Sequence, residues 1–292
     1  MTHLVSPAQL AALQLAGAHD SASPAPTLRV LDVRWRLDRP DGRDEYLAGH
    51  IPGAVYVDLD HELASHGTPD QGRHPLPETA ALQSAARRWG INPGDRVVAY
   101  DDTKSAAAAR AWWVLRRAGV DVVVLDGGLR AWMAAGLPLE TADVVPAPGT
   151  ITLNDSRAGE ITIDEAAGFA ERGVLIDARA PERYRGEVEP LDPIAGHIPG
   201  AVNRLTMTNL ADDGIFLSAG ALRAAFAELG VKAGTPVAAY CGSGITAAHT
   251  ALALSEAGIE PRVFSGSWSQ WSNTPGRPVD VGATPRGQLV GE

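Results

Sequence analysis

The single cysteine of this 292-residue chain stands where a nucleophile would be placed. Cys241 follows the apolar run Val237 to Tyr240 and precedes the small residues Gly242 to Gly244, after which an alanine-rich segment begins at Thr246. A strand that passes into such a turn leaves backbone N–H groups free, and the N-terminus of the next helix adds the positive end of its dipole. Both features favour a thiolate. We therefore predict a nucleophile at Cys241, the alternative being a small buried hydrophobic residue.

Two chemistries use a cysteine in this setting. Cysteine phosphatases place an arginine six positions after the cysteine to clamp the phosphate dianion, and here that position is Ala247. In sulfur transfer, the thiolate attacks a donor sulfur and becomes a persulfide that a second thiol later collects. Backbone N–H groups of the turn would stabilise the anionic outer sulfur. The predicted contributors are Gly242, Gly244, Ile245 and Thr246.

The elements that must position this turn occur twice in the chain. The segment Gly49 to Val55 returns letter for letter as Gly196 to Val202. The run Val97 to Tyr100 likewise matches Val237 to Tyr240, which aligns Asp101 with Cys241. The chain is therefore predicted to contain two copies of one domain, of which only the second carries a nucleophile. The first loop lacks glycines, so we expect its backbone to be less free to form an anion cradle.

Each copy alternates short apolar runs with alanine-rich segments, which predicts an α/β fold. The strands are continuously apolar, as in a mainly parallel sheet with helices on both faces. Predicted strands are Val97 to Tyr100, Val122 to Leu125, Val174 to Asp177 and Val237 to Tyr240. Predicted helices are Leu82 to Trp89, Ala106 to Ala118, Leu222 to Leu229 and Thr246 to Ala257.

The domain boundaries follow from composition and from the repeat. Residues 1–140 are predicted to form a non-catalytic N-terminal domain, with a further helix packed on it between Met1 and Asp20. The Pro- and Gly-containing residues 141–157 are predicted to be a linker, and residues 158–280 a catalytic C-terminal domain. Residues 281–292 are expected to be a loose tail.

Composition restricts the partners. One cysteine excludes an intramolecular disulfide and a multi-cysteine zinc site, which fits a reducing, cytoplasmic compartment. The formal net charge of −10 argues against a nucleic-acid partner. No run approaches the roughly 18 apolar residues that cross a bilayer, and the N-terminus does not read as a signal peptide. We expect a soluble protein with no metal and no cofactor.

The paired Gly-His-Ile-Pro-Gly-Ala segments, the Gly-Ser-Trp-x-x-Trp segment at Gly266 to Trp271 and the single loop cysteine together resemble the two-domain rhodanese family of sulfurtransferases. The resemblance covers nearly the whole chain and implies two tandem rhodanese-like domains. Mercaptopyruvate-using members read Cys-Gly-Ser-Gly-Val-Thr-Ala, and this chain reads Cys-Gly-Ser-Gly-Ile-Thr-Ala from Cys241. The implied donor is 3-mercaptopyruvate, and the implied acceptor is a thiol such as thioredoxin or a small thiol, or cyanide.

The resemblance also implies roles for residues outside the turn. Ser243, His74 and Asp60 match a serine, histidine and aspartate proposed to relay protons in the mercaptopyruvate enzymes, the latter two from the first domain. Read without the family, His74 is a loop histidine and Asp60 a helix N-cap. Arg183 matches the arginine that binds the donor's carboxylate, a role that suits its planar fork; the alternative is a surface arginine paired with a neighbouring glutamate.

One position departs from the family pattern. A second donor-binding arginine lies in a Glu-Pro-Arg-Asp segment, and the corresponding stretch here places Leu191 at the arginine's position. Arg185 or Arg179 could compensate. Two alternatives therefore stay open: an enzyme that uses thiosulfate as donor, and a non-catalytic persulfide carrier.

Several other residues that could do chemistry are predicted to be structural. His50 and His197 occupy equivalent places although only one copy has the nucleophile, and Asp32 and Asp177 end equivalent strands. His249 should lie two helical turns beyond Cys241. Large aromatic residues at such spacing usually pack in the core, and these are Trp112, Trp113, Trp132, Trp268 and Trp271.

Overall fold

The computed structural model describes residues 2–19 and 27–289, which form two compact units. The first unit draws on Met1–Ser65, Leu76–Arg157 and Asp212–Ile215, and the second on His66–Pro75, Ala158–Ala211 and Phe216–Glu292. Residues 66–75 therefore belong to the second unit although the sequence repeat assigns them to the first. No helix among the described residues is long and apolar enough to span a bilayer.

The first unit is built on a fully parallel sheet in the order β1-β5-β4-β2-β3. β4 and β5 each bury four of their five residues, as expected for strands covered by helices on both faces. The strands are β1 (Leu4–Val5), β2 (Leu28–Asp32), β3 (Ala54–Tyr56), β4 (Arg96–Tyr100) and β5 (Asp121–Leu125). The helices are α1 (Pro7–His19), α2 (Arg43–Ala48), α3 (Leu59–Glu62), α4 (Thr79–Arg88), α5 (Ala106–Arg117) and α6 (Gly128–Ala134).

The second unit repeats this order in a parallel sheet, β7-β6-β8-β9. Its strands are β6 (Val174–Asp177), β7 (Val202–Asn203), β8 (Val237–Tyr240) and β9 (Pro261–Val263), followed by an antiparallel pair, β10 (Asp280–Val281) and β11 (Gln288–Leu289). Its helices are α7 (Ile163–Ala167), α8 (Pro181–Tyr184), α9 (Ala219–Glu228), α10 (Ile245–Glu256) and α11 (Ser267–Asn273). Short 3-10 turns lie at Pro69–Gln71, Phe169–Glu171 and Thr206–Asn209.

The predicted elements are all present, with ends that differ by at most three residues. β6 and β8 have the predicted bounds, and α1 forms at the N-terminus with Leu10 fully buried; Met1 and Asp20 lie outside the described residues. α9 begins earlier than predicted because the Ser218 side chain caps it, accepting the Ala221 N–H at 3.3 Å.

Two segments differ from their predicted character. Residues 141–157, predicted to be a linker, pack on the first unit: the Gly149 N–H donates to the Arg87 carbonyl at 2.7 Å, and Ile151 and Leu153 are buried. The prediction of a loose tail is wrong for residues 281–289, because β10 and β11 form a hairpin and the Gly282 N–H donates to the Arg185 carbonyl. Residues 290–292 of that tail lie outside the described residues.

The residues predicted to be structural are buried in equivalent settings. Nδ1 of His50 and of His197 lies 2.8 Å from a tyrosine carbonyl oxygen, and each ring stacks on that same tyrosine, Tyr46 or Tyr184. His249 is buried on α10 against Phe216. The five tryptophans named above are at most 4% exposed. The prediction that these tryptophans pack in the core is confirmed.

Candidate active site

Parallel pairing of β6 and β8 brings two loops to one edge of the second sheet. Asp177 pairs with Tyr240, so the residues that follow the two strands leave the sheet at the same level. Cys241 follows β8, and α8 follows β6. Ligand sites of open parallel sheets lie outside the carboxyl ends of their strands. This edge, which holds the predicted nucleophile, is therefore the candidate active site.

The sulfur of Cys241 is buried and is contacted by the turn that follows it. The Gly244 N–H donates to Cys241 Sγ at 3.1 Å. Gly244 has a φ of 87° and forms the N-cap of the twelve-residue helix α10, a left-handed conformation that glycine adopts without strain. The Ser267 hydroxyl lies 3.9 Å from the same sulfur and accepts the Cys241 N–H at 3.1 Å. The Ser267 hydroxyl donates its proton to the Phe264 carbonyl at 2.9 Å, so the contacts that favour negative charge on the sulfur are the Gly244 N–H and the N-terminus of α10.

The N-terminus of α11 fixes the backbone of this turn. The Trp268 N–H donates to the Cys241 carbonyl at 2.9 Å, and the Ser269 N–H donates to the Gly242 carbonyl at 2.8 Å. These two bonds satisfy N–H groups that a helix N-terminus leaves free. The Gly-Ser-Trp segment therefore acts on the site through the backbone, while Trp268 itself is fully buried.

Gly242 lies between two guanidinium groups. A Cβ atom built on Gly242 would stand 3.1 Å from Nη2 of Arg73 and 3.5 Å from Nη1 of Arg183. A side chain at this position would crowd the Arg73 guanidinium and would meet Arg183 in ordinary van der Waals contact. The residue directly after Cys241 is therefore flanked by two positive charges, of which the sequence predicted one.

Two buried carboxylates hold these arginines. Glu189 accepts hydrogen bonds from Nε and Nη2 of Arg183 at 3.2 and 2.6 Å. Asp192 pairs with Nη1 of Arg73 and lies 3.5 Å from Nη2 of Arg183. Burial raises the pKa of Asp192, an effect that the charge of Arg73 opposes. The two carboxylates thus hold Nε and Nη2 of Arg183 and Nη1 of Arg73, while Nη1 of Arg183 and Nη2 of Arg73 lie near Gly242.

Arg73 reaches Gly242 because residues 66–75 pack closely against the backbone near α11. Gly72 has a φ of 86°, and a Cβ built there would lie 2.8 Å from the Gly266 carbonyl oxygen. His74, half-buried, follows in the same segment. His74, which the repeat assigns to the first domain, therefore packs in the second unit. Sequence reasoning missed Arg73 because nothing in the local pattern indicates that this segment joins the second unit; its one signal is its position beside His74.

The remaining predicted residues divide between the units. Ser243 is half-buried in the turn after Cys241, and Ile245 and Thr246 begin α10. Asp60 lies in the first unit, where its Oδ1 accepts the Trp35 indole N–H at 2.8 Å. The alternative of Asp60 as a helix N-cap is wrong, because Asp58 caps α3 and accepts the His61 N–H.

Neither arginine considered as a substitute at position 191 lies in the open site. The Arg179 side chain is 1% exposed, and its guanidinium donates to both carboxylate oxygens of Asp177 and, at 3.3 Å, to Glu189. Arg185 pairs with Glu187 at 2.7 Å on the surface. Leu191 itself is 45% exposed.

In the equivalent turn of the first unit, the backbone binds the carboxylate of Asp101. Both oxygens of the Asp101 carboxylate accept backbone N–H groups, from Thr103 and Ser105 at one oxygen and Ala107 and Ala108 at the other, at 2.8 to 2.9 Å. The expectation that this loop is less free to form a cradle is wrong. Ser105 adopts a left-handed φ of 65° without being glycine, and the hydrogen bonds to Asp101 offset the cost of that conformation.

Comparison with known proteins agrees with this repeat. The model of the rhodanese-like domain matches residues 11–135 and again residues 162–274. The crystal structure of SseA from Escherichia coli, a 3-mercaptopyruvate sulfotransferase with the rhodanese fold, superposes with a TM-score of 0.78 at 32% identity over 92% of this chain and 99% of that one.

Two relatives are similar along nearly their full lengths. A Mycobacterium tuberculosis protein named "Putative thiosulfate sulfurtransferase SseB" is 49% identical over 277 residues, 94% of this chain and 96% of the relative. A Pseudomonas aeruginosa protein named "Probable 3-mercaptopyruvate sulfurtransferase" is 44% identical over 290 residues, 95% of this chain and all of the relative.

The chain belongs to the rhodanese family, with one rhodanese-like domain in each half. It is a sulfurtransferase.

Proposed function

We propose that this enzyme transfers sulfur from 3-mercaptopyruvate through a persulfide on Cys241. The Cys241 thiolate attacks the donor's sulfur, the carbon–sulfur bond breaks, and its electron pair goes to the carbon, leaving the enolate of pyruvate. The thiol proton of the donor leaves the new persulfide, and the enolate carbon takes up a proton to give pyruvate. Atoms and charge balance without an oxidant or a metal.

The observation that carries the proposal is the Gly244 N–H donated to the Cys241 sulfur at 3.1 Å. We expect further N–H groups of the turn Gly242 to Thr246 to stabilise the outer sulfur of the persulfide. Arg183, with its guanidinium beside Gly242, holds the donor's carboxylate. The second half-reaction needs an acceptor: a thiolate such as that of thioredoxin or a small thiol attacks the outer sulfur and returns Cys241 to the thiolate.

We assign the proton transfer that completes pyruvate to Ser243, His74 and Asp60. Ser243 lies in the turn and His74 in the same unit. Proton transfer by positioned side chains typically accelerates a reaction by about 10²- to 10⁴-fold. We also propose a cytoplasmic location, which suits a chain whose single cysteine has no intramolecular disulfide partner.

Thiosulfate is the second candidate donor, favoured by Leu191 in place of an arginine and by the name of the mycobacterial relative. Attack of the Cys241 thiolate on its outer sulfur releases sulfite, which leaves as a dianion and needs no proton. Sulfur transfer from 3-mercaptopyruvate therefore requires a proton transfer to the leaving group, and sulfur transfer from thiosulfate does not.

The persulfide is tested by intact mass. Incubation with 3-mercaptopyruvate should add one sulfur atom to the protein, and a dithiol should remove it. Cys241→Ser should take up none. Thiosulfate, tested in parallel, identifies the preferred donor by the faster loading. A loaded protein with negligible turnover would point to a carrier, and absence of loading with every donor would refute the proposal.

The relay is tested by comparing the two donors in one set of variants. Ser243→Ala, His74→Gln and Asp60→Asn should each slow turnover of 3-mercaptopyruvate by about 10²-fold or more. The same variants should retain sulfur loading from thiosulfate, because sulfite leaves unprotonated. Equal losses on both donors would instead indicate a structural role for these side chains.

A further inference from the structure

We propose that Glu189 is a specificity-determining residue, whose buried negative charge makes the site favour singly charged sulfur donors over doubly charged ones. The assignment rests on the proposed function and deepens it, because 3-mercaptopyruvate carries one negative charge on its carboxylate and thiosulfate carries two. A carboxylate close behind a bound anion repels that anion in proportion to its charge. Specificity is often built in this way, from a repulsive element together with an attractive one.

The charges around Gly242 are balanced in pairs. The guanidinium groups of Arg73 and Arg183 lie beside this residue. Behind them lie the carboxylates of Asp192 and Glu189, whose side chains are 1% and 3% exposed. Among the residues that the structure describes, each positive charge that faces Gly242 is therefore paired with a buried negative charge. Such a site has little net positive charge to compensate a dianion, although it can still donate hydrogen bonds to a single carboxylate.

The Glu189 carboxylate is held in place by more than Arg183. Its Oε1 accepts the N–H groups of Leu191 and Asp192 at 3.2 and 3.3 Å, and its Oε2 accepts Nη1 of Arg179 at 3.3 Å. A buried carboxylate with several donors has a fixed position. It therefore acts on a bound donor from a constant place, directly behind the Arg183 guanidinium, whose Nη2 lies 2.6 Å from it.

The first unit lacks this carboxylate at the equivalent arginine. Arg34 corresponds to Arg179, because each guanidinium donates through Nε to both oxygens of the aspartate two residues earlier. Nη1 of Arg34 donates to the backbone carbonyl of Glu45, whereas Nη1 of Arg179 donates to the Glu189 carboxylate. Since the first unit satisfies the same arginine with a backbone oxygen, the fold itself does not require this carboxylate. The additional charge occurs in the unit that carries the nucleophile.

The test measures loading of Cys241 from three donors that differ in charge. Mercaptoacetone is neutral, 3-mercaptopyruvate has one negative charge and thiosulfate has two. Mercaptoacetone has a methyl group in place of the carboxylate; its carbon–sulfur bond breaks to leave the enolate of acetone, which takes up a proton. Thiosulfate loses its outer sulfur and leaves as sulfite. The second-order rate constant of loading is measured by intact mass for each donor at one pH and one ionic strength.

Glu189→Gln removes the charge and keeps the length of the side chain and an oxygen that can accept from Arg183. The rate constant of this variant, divided by that of the wild type, should stay within about threefold of one for mercaptoacetone. The ratio should then rise about 5- to 10-fold for each negative charge on the donor, because the repulsion that is removed is proportional to that charge. Thiosulfate should therefore gain more than 3-mercaptopyruvate.

Two further variants complete the comparison. Asp192→Asn removes the other buried carboxylate and should give the same trend with donor charge. Glu187→Gln is the matched control, because Glu187 lies in the same loop, is 56% exposed and pairs with Arg185 on the surface. It should leave all three rate constants within about twofold of wild type. Loading from mercaptoacetone also shows that each variant is folded.

The other outcomes overturn the assignment. A ratio that is the same for all three donors would show that Glu189 has only a structural role. A ratio that falls as donor charge rises would show that Glu189 serves to hold Arg183 and does not select by repulsion. In both cases a wild type that loads sulfur leaves the proposed function intact. A wild type that loads from none of the three donors would overturn the proposed function and the role of Glu189 with it.

Discussion

At the scale of single residues, the two copies of the domain carry chemically different residues at one structurally equivalent position. Cys241 and Asp101 both follow an inner strand of their sheets, at the start of a turn that leads into a helix. In the first unit the Asp101 carboxylate accepts four backbone N–H groups of its own turn. In the second unit the corresponding turn donates one N–H, that of Gly244, to the Cys241 sulfur.

Asp101 should make the stability of the first unit depend on pH. Its complete burial raises the pKa to about 6, although the backbone N–H groups oppose the shift. The folded state therefore holds a proton between about pH 4 and pH 6 that the unfolded chain has lost. The stability of the wild type relative to Asp101→Asn should fall through this window as the pH rises, by up to ~3 kcal/mol.

The measurement is thermal or urea unfolding of both proteins at several pH values, followed by tryptophan fluorescence. Asp38→Asn is the control, because Asp38 is exposed and the hydrogen bond from Arg36 lowers its pKa; its difference from wild type should not fall as pH rises from 4 to 6. A difference between wild type and Asp101→Asn that is constant from pH 4 to pH 6 would show that Asp101 does not titrate there.

At the scale of elements, three segments that are distant in sequence build the site. The turn after β8 supplies the sulfur, the loop around α8 supplies Arg183, and residues 66–75 supply Arg73 and His74. The N-terminus of α11 holds the turn through backbone hydrogen bonds. Close contact between backbones at Gly72 and Gly266 places the third segment, so this contact decides where Arg73 lies.

Gly72→Ala should disturb the site without touching a catalytic group. The new Cβ would stand 2.8 Å from the Gly266 carbonyl oxygen at a φ of 86°, so residues 66–75 must shift. We expect a loss of about 1–2 kcal/mol of stability from the backbone conformation alone. Turnover of 3-mercaptopyruvate by the folded variant should also fall, by a factor of about 10, because the shift displaces Arg73.

Gly276→Ala separates the two effects. Gly276 lies in the same unit with a φ of 81°, but a Cβ there meets nothing within 4 Å. This variant should show the conformational loss of stability by thermal unfolding and keep its turnover. If both variants keep full turnover, the contact at Gly72 does not position Arg73.

At the scale of the whole molecule, the sequence repeat and the structural units do not coincide. Residues 66–75 lie between α3 and α4 in the chain yet pack in the second unit, and residues 212–215 lie between β7 and α9 yet pack in the first. A cut between residues 157 and 158 would therefore separate Arg73 and His74 from Cys241.

A fragment of residues 158–292 should accordingly load sulfur from 3-mercaptopyruvate at least about 10-fold more slowly than the full chain, because it lacks residues 66–75, which carry His74 and bring the Arg73 guanidinium beside Gly242. A synthetic peptide of residues 66–75 added in excess should raise the rate, and the same peptide with glutamine in place of Arg73 should not. Intact mass over time measures both. A fragment that loads as fast as the full chain would show that residues 66–75 contribute nothing to donor binding.

Much of the fold and part of the site could be predicted from the sequence, since both depend on local patterns. Continuous apolar runs and alanine-rich segments predicted the strands and helices to within three residues, and the exact repeat predicted two similar domains. The position of Cys241 between a strand and a helix predicted a turn with free N–H groups. The motif Cys-Gly-Ser-Gly and the paired repeat segments indicated the family.

Only the tertiary structure decided which distant residues meet at Cys241. Arg73 lies 168 positions before the nucleophile, and its place beside Gly242 depends on how residues 66–75 pack against the second unit. The backbone N–H groups around Asp101 were also found only in the structure. Lys104 and Ser105 adopt left-handed conformations without being glycine, and the hydrogen bonds to the carboxylate offset the cost of those conformations. Local sequence determines which backbone conformations have a low free energy. The energy that selects among them comes from contacts between segments far apart in the chain.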